Sequence, residues 1–256
     1  GISCREFDLE LYSEMSNASQ DATEITSAKK FAEERIYRKY QTYYYGSSYE
    51  DVLEFHLVFG PTEERRATDR DFDRWDIQRI SSWLTDQNGY KWLQIVQPDL
   101  EDVRYRCRIE KLEPIEISGY LWGFQCDVIC DAPFGYLMPQ KQIYTINGSA
   151  SITYLNRSYN GPYYPKMIFS STSGTSLSIV NETDDSRKFE LKDFPTASGA
   201  ITIDGDRQII SCDGGLNLYP YWNMKFVRTF RGENQLKVAG NGTLEIISEF
   251  PVNVGG

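Results

Sequence analysis

One histidine, five scattered cysteines, four methionines and no apolar run approaching eighteen residues remove much chemistry from a 256-residue chain at the outset. Without a long apolar run nothing spans a membrane as a helix, in keeping with a mean hydropathy of −0.50. Zinc centres need pairs such as CxxC or HxxxH, and neither spacing occurs. Cys4, Cys107, Cys126, Cys130 and Cys212 are odd in number, which favours free thiols in a reducing compartment over a disulfide framework. Cys126 and Cys130, four apart on an extended strand, would be about 13 Å apart, too far for a disulfide or a shared metal. Basic excess is missing too: 27 lysines and arginines face 37 acids, a formal charge of −10. That argues against a grip on nucleic-acid phosphates or anionic lipid. The start, Gly1-Ile2-Ser3-Cys4-Arg5-Glu6, shows no basic stretch followed by an apolar core, so no secretory signal is read there. It also lacks a Met, and the natural start is expected upstream.

What is present points to strands. Eighteen tyrosines and thirteen phenylalanines, with dispersed glycine, suit a mainly β protein, and the length suits two domains. One segment reads as a helix, Asp71 to Leu84. Phe72, Trp75, Ile77, Ile80, Trp83 and Leu84 are placed on one broad arc, and Phe72, Trp75, Ile80, Trp83 and Leu84 are the expected core helix residues. Asp69 or Asp71 would cap it and Gln87-Asn88-Gly89 would stop it. A helix of this length covers a sheet.

Around it the chain alternates. Phe7 to Tyr12 reads as a short strand leading into an exposed polar loop, Ser13 to Ser27. Ala28 to Lys39 is ambiguous, with strand expected from Glu34 onward. Tyr37, Tyr40, Tyr43, Tyr44 and Tyr45 precede Gly46-Ser47-Ser48, a turn cluster. Val52 to Phe59 places Leu53, Phe55, Leu57 and Phe59 on a core face and His56 on the polar one. No nucleophile or carboxylate constellation accompanies that histidine. Strands are expected at Tyr90 to Val96 and at Arg104 to Leu112. The Arg104, Arg106 and Arg108 stripe is expected to meet carboxylates rather than phosphates. Ile115 to Cys130 forms a long strand or hairpin. From Lys166 short strands follow at β-sandwich spacing: Lys166 to Phe169, Ser176 to Val180, Lys188 to Leu191, Ala200 to Asp204, Gln208 to Cys212, Gln235 to Ala239 and Thr243 to Ile247. The domains are therefore residues 1–138 and 166–256, joined by a linker and domain entry at 139–165.

Taken in this order, the pieces resemble the distal tail protein (Dit) family of bacteriophages with long non-contractile tails. Gly1 to Phe7 resembles the family's opening, with its Ser-x-x-Phe piece. Arg79-Ile80-Ser81-Ser82-Trp83-Leu84, then Tyr90, Leu93 and the Tyr105 strand, resemble its Arg-x-x-x-Trp-Leu helix and following strands. Asn160-Gly161-Pro162 through Pro165, Leu177 to Ile179, Ile203-Asp204 and Gly240-Asn241 resemble its outer sandwich. The chain departs at Tyr45-Gly46-Ser47-Ser48, where members often carry a Gly-Arg-Asp-Gly turn, and it has no insertion long enough for a carbohydrate-binding module.

The resemblance implies two β-sandwich-type domains, the first with a single covering helix and the second galectin-like. It implies a non-enzymatic virion protein at the distal end of the tail, made in the host cytoplasm, with no cofactor and no metal. Six copies would form a ring around a DNA channel, contacting the tail tube protein, the tail-associated baseplate hub protein and receptor-binding proteins. Tyr43, Tyr44 and Tyr45 are candidates for the interface between copies, with a place in the subunit's own core the equal alternative. Carbohydrate binding through Tyr219, Tyr221 and Trp222 is the competing reading, and a glycoside hydrolase using two of the many acids is the enzymatic one.

Overall fold

The computed structural model describes residues 2–12, 29–68, 71–98, 100–159 and 161–253. The expected loop Ser13 to Ser27, Asp69 as a cap, and Gly1, Asp99 and Asn160 lie outside the described residues. The chain is mainly β and divides into two compact units, Gly1–Tyr136 with Asn253–Gly256, and Leu137–Val252.

In the first unit a short 3-10 turn, Cys4–Phe7, leads into β1 (Leu9–Leu11), and a separate pair, β2 (Lys29–Glu34) and β3 (Tyr43–Tyr49), follows. Next come β4 (Glu54–Pro61), α1 (Glu63–Ala67), α2 (Arg74–Thr85), β5 (Lys91–Leu93), β6 (Val103–Ile117), β7 (Tyr120–Cys130) and β8 (Gly135–Leu137). The sheet runs β1-β4-β7-β6-β8, with β5 paired to β6. Leu53, Leu57 and Phe59 are buried as their alternation demands, while Phe59 pairs with Phe124 and Leu57 with Cys126. On β6, Val103, Tyr105 and Cys107 face the core and the arginines between them face out.

The helix begins at Arg74 rather than Asp71. Asp73 caps it, accepting from the N–H groups of Trp75 and Asp76 at 2.8 Å, while Asp76 accepts from the Asp73 N–H. Asp71 lies before the helix and caps nothing. Ile80 and Leu84 are buried, and Phe72 packs edge-on to Phe124 from the extended entry. Trp83 is half-buried and stacks on Phe7 at 4.7 Å. Trp75 corrects the expected face, since it is 73% exposed. Five residues from Ile80, it lies about 140° round the helix.

The second unit contains β9 (Gln140–Asn156), β10 (Lys166–Ser171), β11 (Leu177–Asn181), β12 (Arg187–Leu191), β13 (Ala200–Asp204), β14 (Ile209–Cys212), β15 (Gly232–Ser248) and β16 (Pro251–Val252). The segment expected as a linker, 139–165, therefore contains a seventeen-residue strand. β9 pairs along its whole length with β15, from Asn156 opposite Gly232 to Gln140 opposite Ser248. Expected as two strands with a turn between, Gln235–Ala239 and Thr243–Ile247 belong to this one strand. Its first half pairs with β11 and its second with β10, so β15 links β11-β12 to β10-β13-β14 within one sheet. The change of partner falls at Gly240-Asn241-Gly242. A Cβ on Gly242 would sit 2.2 Å from the Ser170 carbonyl oxygen, so this corner requires glycine. Inside lie Tyr154, Phe169, Phe189, Phe194 and Phe250 with apolar residues from every strand from β9 to β15, Ile210 being β14's contribution.

Candidate interaction surface

Among the described residues β2 and β3 pair only with each other. An isolated two-stranded ribbon has no core to bury its side chains in, and two strands alone are marginally stable in water. This arm nevertheless carries seven large apolar or aromatic side chains in the open: Phe31, Ile36, Tyr37, Tyr40, Tyr43, Tyr44 and Tyr45. Tyr43, Tyr44 and Tyr45 are 40%, 59% and 67% exposed, which decides against a place in the subunit's own core. Gly46-Ser47-Ser48, expected as a turn, sits within β3. The register slips between Ala32 and Glu33, a bulge that leaves Tyr45 without an opposite residue, and its hydroxyl donates to Glu34 at 3.2 Å. Strand was expected from Glu34 onward, but it ends there. The backbone instead turns at Ile36 to Lys39, with Arg38 left-handed at φ 69°.

Behind α2, Arg65 fastens the pieces of the first unit. Only 4% exposed, it donates to Asp8 at 3.2 Å, to the Asp71 carbonyl at 2.8 Å and to Asp76 at 2.5 Å, and lies 3.9 Å from the Phe72 ring centroid. One cation thus joins the 3-10 turn's end, the helix entry and the helix's first turn. An open hollow of about 240 Å³ lies beside it, lined by Arg66, Phe72, Leu121 and Trp122 among others.

The residues that could carry chemistry are otherwise engaged. His56 Nδ1 lies 2.8 Å from Asp127 on the exposed sheet face, and among the described residues no nucleophile is joined to the pair. Arg106 meets Asp131 at 3.2 Å, Arg108 pairs with Glu110, and Arg104 stacks 3.8 Å over Trp92. The stripe is therefore met by carboxylates and an aromatic face. All five cysteines are free; burial pushes the Cys107 and Cys126 thiols up to about 12, and Cys130 rises for the same reason. Among the described residues no group of His, Cys, Asp or Glu could hold a metal ion. No described helix is long and apolar enough to cross a membrane. In the second unit Trp222 packs on Phe226 at 4.6 Å and on Tyr219 at 5.8 Å, and its Nε1–H donates to the Lys225 carbonyl, so its ring is used within the unit.

The described residues thus form two β units, one carrying an aromatic arm, with no catalytic constellation among them. Two family models match the chain, one described as a phage tail protein N-terminal domain over residues 1–132 and one as a phage tail C-terminal domain over residues 134–248. The chain belongs to this family of phage tail proteins. Among solved structures it is similar to the Dit protein of phage SPP1, described as a paradigm of the hub adsorption apparatus in phages infecting Gram-positive bacteria. That likeness has 12% identity and a TM-score of 0.63, over 90% of this chain and 91% of that one. A chain of the phage P2 baseplate in its activated conformation with calcium matches at 10% identity and a TM-score of 0.51, over 96% of this chain and 91% of that one. At these identities the likeness is one of fold. No curated protein matches the chain.

Proposed function

We propose that this phage tail protein is the distal hub of the tail, six copies of which close a ring joining the tail tube to the baseplate. The observation that carries the reading is the arm: seven exposed apolar and aromatic side chains on a ribbon with no core of its own. Such a ribbon gains its burial from another chain. A ring needs one patch to meet a different patch on the next copy, and an arm reaching a neighbouring body is contact of that kind. The first unit forms the ring, with Tyr43, Tyr44 and Tyr45 in the contact. The second unit projects as the platform for receptor-binding proteins, and the tail tube and tail-associated hub proteins take the ring's two faces. Six copies would carry about −60, so an acidic lumen lets DNA slide past without being trapped.

Light scattering with negative-stain images of the same fraction, across protein concentrations, tests this. Six-fold rings with a central hole are expected. A monomer at every concentration, with or without tail tube and baseplate proteins, would overturn it.

A further inference from the structure

The end of the arm differs in charge from the chain that carries it. Residues 35–40, Arg35-Ile36-Tyr37-Arg38-Lys39-Tyr40, contain three cations and no acid, while the rest of the chain has 24 bases against 37 acids, a formal −13. All six side chains are exposed, Tyr37 to 85% and Tyr40 to 99%. The turn that presents them is closed by the Lys39 N–H donating to the Ile36 carbonyl at 3.0 Å. Two of the cations are held against aromatic faces: Arg38 lies 5.3 Å over Tyr37, and Lys39 lies 5.2 Å over Tyr43 and donates to its hydroxyl at 2.7 Å. Among the described residues none of Arg35, Arg38 and Lys39 forms an ion pair.

We propose that this tip is a charged clasp for the acidic surface of a second copy of the same chain, an inference that rests on the ring reading. Charge complementarity selects the occupant, because the body offering the counter-charge is the chain's own. It also bears on the geometry. Two tips brought together would set three cations against three, so a tip-to-tip pair is disfavoured and contact of the tip with the other copy's acidic body is favoured. The aromatic rings supply the contact area, and the cations set encounter rate and register. A basic, aromatic loop also fits single-stranded nucleic acid, whose bases would stack on Tyr37 and Tyr40. The test separates the two.

Full-length protein and R35E/R38E/K39E are compared by light scattering at about 0.05 and 0.5 M NaCl, with Y37S/Y40S as a second variant, since salt screens exposed charge over a Debye length of roughly 10 Å at 0.1 M. The clasp predicts that wild-type assembly needs about tenfold more protein at the higher salt. The charge reversal should need at least about tenfold more even at the lower salt, with an unchanged Tm. Unchanged, salt-insensitive rings in the charge reversal would overturn the clasp and leave the ring reading standing. A wild type that stays monomeric throughout would overturn both. Anisotropy of a fluorescent single-stranded oligonucleotide, bound by wild type and lost in R35E/R38E/K39E while assembly is unchanged, would also overturn the clasp and give the tip to nucleic acid.

Discussion

Arg65 and Asp76 form a nearly dry ion pair, Nη2 to Oδ2 at 2.5 Å, with side chains 2% and 13% exposed. The same carboxylate accepts from the Asp73 N–H as part of the helix cap, so one acid serves both the pair and the start of α2. Removing the cation strands that acid away from water. Arg65→Met is therefore expected to destabilise the first unit by about 3–5 kcal/mol in urea unfolding. Asp8→Asn, at a carboxylate 52% exposed, should cost less than about 1 kcal/mol. Equal effects from the two would show that Asp8, not Asp76, is the partner that matters.

α2 gives a contrast between two residues of one helix. Ile80 is 1% exposed and Trp75 is 73% exposed. Ile80→Ala should cost about 2–5 kcal/mol, while Trp75→Ala should stay within about 0.5 kcal/mol in the monomer. Calorimetry of both variants decides, and a large loss from Trp75→Ala would mean that its ring is covered.

The corner of β15 makes a stereochemical prediction. A methyl at Gly242 meets the Ser170 carbonyl oxygen, in a backbone conformation at φ 158° that side chains rarely adopt. Gly242→Ala should lower the stability of the second unit by about 1–3 kcal/mol. Gly148, with open space around its missing Cβ but φ 79°, should lose less on the same change. The two Tm values test the ranking.

Three buried thiols tie the first unit's stability to alkaline pH. Cys107 and Cys126 are pushed from 9.0 to about 12 by desolvation, and Cys130 is raised likewise. The fold holds the neutral thiol, whereas the unfolded chain ionises near 9. Stability is therefore full below about pH 9 and falls as pH rises towards 12, by up to about 1.4 kcal/mol per pH unit per thiol. Cys107→Ala should flatten that slope by about a third. A pH series of unfolding midpoints from 8 to roughly 11 gives the answer.

Local patterns were legible where local chemistry decides the structure. Leu53, Leu57 and Phe59 alternate because one face of β4 is buried, and the Asp71 to Leu84 segment announces a helix through its acids and periodic apolar residues. Trp75 misleads because a tryptophan reads as core whichever way it points. The arm was half visible: the tyrosine run stood out, but Gly46-Ser47-Ser48 has turn composition and becomes strand only through its register with Lys30, Phe31 and Ala32. β9 was hidden for a related reason. Gln140, Gln142, Asn147, Gly148 and Ser149 have weak strand preference, and what makes them a strand is β15, far along the chain. The charge contrast at Arg35, Arg38 and Lys39 was open to a windowed count and disappears in the total of −10.

The long pairing of β9 with β15 also governs how the second unit is born. About 75 residues separate Asn156 from Gly232, so a ribosome adding 5–20 residues each second leaves β9 without its partner for roughly 4–15 s. Lys141 is the strand's only charged residue, so little repulsion keeps nascent copies apart during that interval. Many chains synthesised at once would expose such unpaired strands together, and the yield of folded protein would depend on synthesis rate as well as on final stability.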